Sequence, residues 1–163
     1  MGELGWSAPT RKVDAGSARR GILSQHVRIR ELLHKARVIA EAALDGAAPS
    51  DDAVASAIGD IRSTMEVHLT FEEAVLLPLL RADVPVGPQR AARLQEEHAQ
   101  QRAILAGLHR EAIAHPQLPM LAAKLAFLAS WLLADMTEEE RSLITPDVVR
   151  DDDDGVVIDQ ADG

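Results

Sequence analysis

The chain has 163 residues, enough for one compact domain, and 47% of them are hydrophobic, enough to bury a core. It has no Cys, which excludes disulfides, thiolate metal sites and Cys nucleophiles, and only 2% aromatics, which argues against a strand-rich fold. The net charge of −9 gathers at the C-terminus, where residues 147–163 hold seven Asp against one Arg, and no basic stripe for nucleic acid is present.

Residues 1–17 mix Gly, Pro, Ser and charges without a period and read as a flexible N-terminal arm. They lack the apolar core of a secretory signal, and no stretch holds 18 consecutive apolar residues. A cytoplasmic protein without a membrane span is the expectation.

From residue 18 to 146 the prolines divide the chain into four segments. Pro49 separates the first two; Pro78, Pro85 and Pro88 close the second and open the third; Pro116 and Pro119 precede the fourth, and Pro146 follows it. Proline favours helix starts and the stretches just past helix ends, so this punctuation predicts four helices. Each segment also repeats apolar residues at steps of three and four. The first runs Ile22, His26, Ile29, Leu33, Ala36, Ala40, and the second Val54, Ile58, Ile61, Met65, His68, Glu72, Val75, Leu79. The third runs Ala91, Leu94, His98, Gln101, Leu105, Leu108, Ala112, and the fourth Leu121, Leu125, Leu128, Leu132, Asp135, Glu139, Leu143. Such seams with short connections predict an all-α, up-down-up-down four-helix bundle. Residues 147–163 form an acidic C-terminal tail in which Val156, Val157 and Ile158 can make a short extended patch.

Six ionisable residues interrupt the seams where Leu or Ile belongs: His26, His68, Glu72, His98, Asp135 and Glu139. A buried carboxylate is costly unless it is paired or bound to metal. The six share a pattern. His68 and Glu72 are four apart on one helix face, and so are Asp135 and Glu139, while the first and third helices each add one His. The halves repeat: His26 leads to His68-x-x-x-Glu72-Glu73, and His98 leads to Asp135-x-x-x-Glu139-Glu140. In antiparallel helices these residues can converge at one level, as inward ligands do in dimetal bundles. With no thiolate present, the donors suit iron, manganese or zinc. The competing reading is a buried hydrogen-bonded network without metal.

The stretches ILSQHVRIRELL, HLTFEEAVLLPLL, LQEEHAQQRAIL and LLADMTEEERSLI resemble the hemerythrin-like, or HHE cation-binding, family, roughly over residues 18–146. The resemblance implies a bundle holding a non-haem di-iron centre, with two Fe ions as cofactor, that binds or reacts with O2, NO or peroxide. It assigns the metal ligands to His26, His68, Glu72, His98, Asp135 and Glu139, with Glu72 and Glu139 bridging. Asp135 departs from the family, which usually has His there. Three consequences stay open: Asp135 ligates and adds negative charge, it stands aside and leaves a position for substrate, peroxide or water, or it weakens the site so that one metal is lost. The first two leave room for redox catalysis on a small-molecule substrate. The alternative function is a metal-responsive sensing or partner-binding module without catalysis.

Other polar residues have simpler expectations. His34 and His109 lie off their seams and read as surface residues; His115, before Pro116, offsets a helix dipole. Arg102, one turn past His98, reads as solvated, with pairing to a carboxylate as the alternative. Glu73, Glu138 and Glu140 flank the cluster and read as mostly solvent-facing, with Glu73 or Glu138 able to hydrogen-bond a ligand His. Trp131, Phe71, Met65 and Met136 read as core packing.

Overall fold

The computed structural model describes residues 11–47, 51–82, 85–114, 118–145 and 156–158. Four long helices dominate it: α1 (Ala15–Leu44), α2 (Asp51–Ala82), α3 (Gly87–Ala114) and α4 (Leu118–Ser142). They form the expected up-down-up-down bundle. α1 packs on α2 and α4, and α2 on α3, whereas α3 and α4 touch least of the neighbouring helices. Two three-residue strands, β1 (Arg11–Val13) and β2 (Val156–Ile158), pair antiparallel with Val13 opposite Val156, so the apolar triad of the tail meets the chain just before α1. The residues before Arg11, the loop prolines Pro49, Pro116 and Pro146, His115 and the run Asp151–Asp154 lie outside the described residues.

Local chemistry explains the helix ends. The Asp14 carboxylate accepts the Ser17 backbone N–H at 2.9 Å, an N-cap that starts α1 three residues before the expected boundary at 18. Gly46, at φ 74°, turns the chain out of α1 in a conformation glycine adopts without strain. Pro88 and Pro119 sit in the first turns of α3 and α4, where a missing N–H costs nothing. Pro78 does not close α2, which continues to Ala82. Only the carbonyl one turn back, on exposed Ala74, loses its helical partner, and water can replace it. Beyond Pro78 the helix is held by Leu80, which is fully buried.

The predicted seams of α1 and α3 are buried at every position. On α2 the buried line moves by one residue after Glu72, onto Leu76 and Leu80, leaving Val75 and Leu79 partly covered. On α4 the buried positions are Leu121, Ala122, Leu125, Leu128, Ala129, Leu132 and Met136, with Asp135 and Glu139 only partly covered.

The core is split in two. A large apolar cluster includes Ile29, Leu33, Ile61, Met65, Leu105, Leu125 and Leu132. A smaller one joins Ile22, Leu76, Leu80, Leu94 and Ile144. Full burial of each such side chain contributes about 1.5–3 kcal/mol to folding. Phe71 packs on the smaller cluster against Gly21, where a Cβ would come within 2.9 Å of the ring. Arg19 donates to the Ile144 carbonyl at 2.8 Å and ties the end of α4 to α1. The ionisable residues of the seams occupy the level between the two clusters.

Outside, α3 and α4 flank an apolar groove of about 750 Å³ lined by Ile104, Leu108, Met120, Phe127 and Trp131 among others. Phe127 is 74% exposed there. α4 is long and apolar enough, by length and composition, to cross a membrane. Its leucines Leu121, Leu125, Leu128 and Leu132 are buried in the bundle.

Candidate metal centre

Each helix brings its polar seam residues to the same level. His26 of α1 and His68 of α2 face one another with Nε2 atoms 3.2 Å apart, and their rings meet edge to face. Glu72, one turn beyond His68, presents Oε1 to both, at 3.5 Å from His26 and 3.4 Å from His68. Its other oxygen, Oε2, lies 3.4 Å from Nε2 of His98 on α3. Glu72 therefore spans two donor groups with separate oxygens. From α4, Glu139 places Oε2 3.6 Å from His26 Nε2. Donors at 2.0–2.2 Å from one ion stand about 3.0–3.6 Å apart, so these separations fit a cation between them.

The donors of His26, His68, Glu72 and Glu139 all lie within 4.8 Å of one another. Asp135 is turned toward α3, where the Gln101 amide donates to its Oδ2 at 2.6 Å. Five of the six predicted residues are thus linked by direct approach, and Asp135 joins them along a shared wall. A cavity of about 260 Å³ opens between α3 and α4 and is lined by His68, Glu72, His98, Gln101, Asp135 and Glu139 together with Met65, Leu132 and Met136.

The outward ring nitrogens determine what the inward ones can do. His26 Nδ1 lies 2.8 Å from Glu140, His98 Nδ1 lies 3.0 Å from Glu73, and His68 Nδ1 lies 2.9 Å from the side-chain amide oxygen Oε1 of Gln25. All three partners are acceptors. In the neutral rings the protons therefore sit on Nδ1, and the three Nε2 lone pairs point inward. Burial, ahead of repulsion by His26 and His98 and against the attraction of Glu72, pulls His68 down to about 4, so its ring is neutral at ordinary pH. The carboxylates add further acceptors. Both Glu72 oxygens, Glu139 Oε1 and Gln101 Oε1 are buried without a hydrogen bond. Burial and the adjacent Glu72 carboxylate push Glu139 well above the usual carboxylate range, and burial and Glu97 push Asp135 up as well. Apart from the proton that Glu139 can carry, lone pairs and carboxylates converge here without a donor, an environment that a cation satisfies.

The outer partners are themselves held. Arg30 donates to Glu140 at 2.8 Å, and Arg102 donates to both oxygens of Glu73 at 2.6 and 3.1 Å. The Arg30 and Arg102 guanidiniums keep Glu140 and Glu73 below the usual range, as anions ready to accept from the imidazoles. Arg102 is thus a carboxylate partner and not a solvated surface residue. Glu140, expected to face solvent, is the acceptor for His26, while Glu138 is exposed. The overlooked signal was a repeat: His26-x-x-x-Arg30 on α1 and His98-x-x-x-Arg102 on α3, each matched to a Glu-Glu doublet on a neighbouring helix. His34 is exposed as expected. His109 is partly covered, against Gly59 of α2. Trp131 packs on the large cluster and lines the outer groove, not the polar cavity.

No curated protein and no solved structure gives a match to the chain. The family model of the hemerythrin HHE cation-binding domain matches residues 18–145, which takes in all but the first three residues of the four helices and all six seam residues. The chain belongs to the hemerythrin HHE cation-binding domain family.

Proposed function

We propose that this domain holds a pair of iron ions between its two apolar clusters and reacts with a small oxidant: O2, NO or peroxide. The observation that carries the reading is Glu72, a fully buried carboxylate whose two oxygens face different imidazoles and accept no hydrogen bond. His26, His68 and His98 would hold the ions through Nε2, with Glu72 and Glu139 between them and Asp135 at the cavity side. Manganese or zinc fits the same donors, and iron is preferred on family grounds. Paired irons, when bound, would supply electrons for reduction of a small oxidant.

The chain's own residues set the conditions. Glu140 and Glu73 hold the His26 and His98 rings in the tautomer that turns Nε2 inward. Met65, Leu69, Leu132 and Met136 give the cavity apolar walls that limit bulk water. The gap between α3 and α4 admits small molecules. Asp135 in place of an imidazole raises the negative charge of the donor set. Added anionic charge favours the higher oxidation state, so the reading leans away from reversible O2 carriage and toward redox chemistry, with a small organic substrate as second reactant. A cytoplasmic location accompanies this proposal.

A second reading, a metal-responsive partner-binding module without catalysis, draws support from the exposed groove around Phe127. Stopped-flow mixing of reduced, iron-loaded protein with O2, NO and peroxide separates the two. Repeated consumption of an oxidant in the presence of reductant supports the redox reading. Metal uptake with no reaction toward any of the three favours the module.

A further inference from the structure

α4 carries two apolar stripes where a bundle helix needs one. Leu121, Leu125, Leu128 and Leu132 face the core. Met120, Phe127 and Trp131 follow a second line on the outside, where Met120 and Phe127 are exposed. A helix that is apolar on both sides is favoured in water when both sides are covered. The chain has two Trp and two Phe, and one of each stands on this outer stripe. Such side chains anchor protein interfaces. α3 supplies the facing wall with Ile104 and Leu108. Gly107 lies on the same side of α3, and a Cβ added there would meet nothing within 4 Å. Packing inside this chain therefore does not call for a glycine at that point, where it weakens the helix relative to alanine. The glycine does keep the wall low enough for another backbone to come close.

We propose that this α3–α4 face is the contact between two copies of the chain, with Phe127 as its anchor. Charge selects the occupant. The chain carries −9, yet the charged residues that line the groove are one of each sign, and Lys124 donates to both Glu111 oxygens at 2.5 and 2.7 Å. A second acidic copy meets no net repulsion at this face, and Lys124 and Glu111 can exchange partners across it. Shape points the same way. The projecting Phe127 ring and the groove beside it share one face, so a twofold axis sets each ring against the other copy's groove, the self-complementary arrangement of an isologous interface. A lipid surface suits the face less well. The inner leucines hold α4 in the bundle, and the acidity of the chain opposes anionic headgroups. The groove and the polar cavity share no lining residue, so the proposal stands apart from the metal-pair reading.

The test is sedimentation equilibrium of the full chain over a range of concentrations. The expected result is a monomer–dimer equilibrium that approaches twice the chain mass of 17.6 kDa. Phe127→Glu should raise the dimer dissociation constant by about 30-fold or more, the effect of losing an anchoring side chain, with circular dichroism unchanged. Val38→Glu, at an exposed position on α1, should leave it as it was. Because the chain has no Cys, Ala123→Cys places a single thiol in the groove. A short bismaleimide should join two such chains, and should not join chains carrying Val38→Cys. A monomer at every concentration overturns the proposal. A dimer that Phe127→Glu leaves intact also overturns it, because that contact lies on another face. A monomer that floats with lipid vesicles, and no longer does so with Phe127→Glu, overturns it in favour of a membrane.

Discussion

Glu72 concentrates the physical problem of this fold. It sits among imidazole lone pairs, next to a second carboxylate, with neither oxygen hydrogen-bonded. Burial penalises its charge, and only the close approach of the His26, His98 and His68 imidazoles holds Glu72 below the usual carboxylate range. On the proposed reading, cations between Glu72, Glu139 and the imidazoles would offset the carboxylate repulsion and take up the lone pairs left without hydrogen bonds. Glu72→Ala should therefore lose its metal, with affinity down by at least about tenfold, while far-ultraviolet circular dichroism keeps the helical signal. Metal content equal to the parent's would show that Glu72 is not between the ions. Asp135 is the residue where reading from sequence stopped short. Its seam position and its partial burial were both consistent with ligation or with standing aside. What decides its surroundings is Gln101, which looked like an ordinary seam residue but carries the amide that holds the carboxylate.

At the scale of helices, the outer hydrogen bonds are also cross-links. Glu140 on α4 joins His26 and Arg30 on α1, and Glu73 on α2 joins His98 and Arg102 on α3. Each link orients an imidazole and sets the rotation of one helix against its neighbour. Glu73→Gln and Glu140→Gln keep the shape but remove the charge that the imidazole N–H donates to. Each should weaken metal binding by about 10–100-fold in competition with a chromogenic chelator, with little change in helicity. Unchanged affinity in both would reduce these pairs to surface ion pairs, worth about 0–1 kcal/mol. The helices themselves were legible. On α1 and α3 the apolar residues are separated by polar ones, so the period fixes one face, and every seam position is buried. On α2 the stretch Ala74-Val75-Leu76-Leu77 is apolar throughout, and a uniform run gives the period nothing to choose between. The end of α2 was hidden because Pro78 breaks one hydrogen bond at an exposed carbonyl and leaves the packing of Leu80 intact. The outer Arg–Glu links were hidden because charged residues next to ligands look like solvated surface until the helices are placed.

For the whole molecule, the polar layer makes stability, metal and protons interdependent. In the metal-free bundle, burial and Glu72 raise the Glu139 value well above its unfolded one. A raised folded value means that stability is fully present below the unfolded value and is lost as pH rises through the folded one. On the proposed reading, a cation takes the place of that proton. Metal uptake should therefore release protons, and the gap between metal-bound and metal-free Tm should widen as pH rises through the Glu139 titration. Calorimetry in buffers of different ionisation enthalpy checks this directly, and a buffer-independent binding enthalpy would contradict it. His68 acts in the opposite window. With its folded value pulled to about 4 from the ordinary 6.5, its contribution is full above 6.5 and fades as pH falls toward 4. The polar layer lies between the two apolar clusters, so these proton and metal effects bear on the same level of the bundle. The most direct measurement is metal content per chain after anaerobic loading with ferrous iron and removal of the excess, with visible spectra before and after O2. The account predicts about two irons per chain, as a carboxylate-rich bundle core holds, and new charge-transfer absorption on oxidation. A folded chain that retains no iron would contradict it.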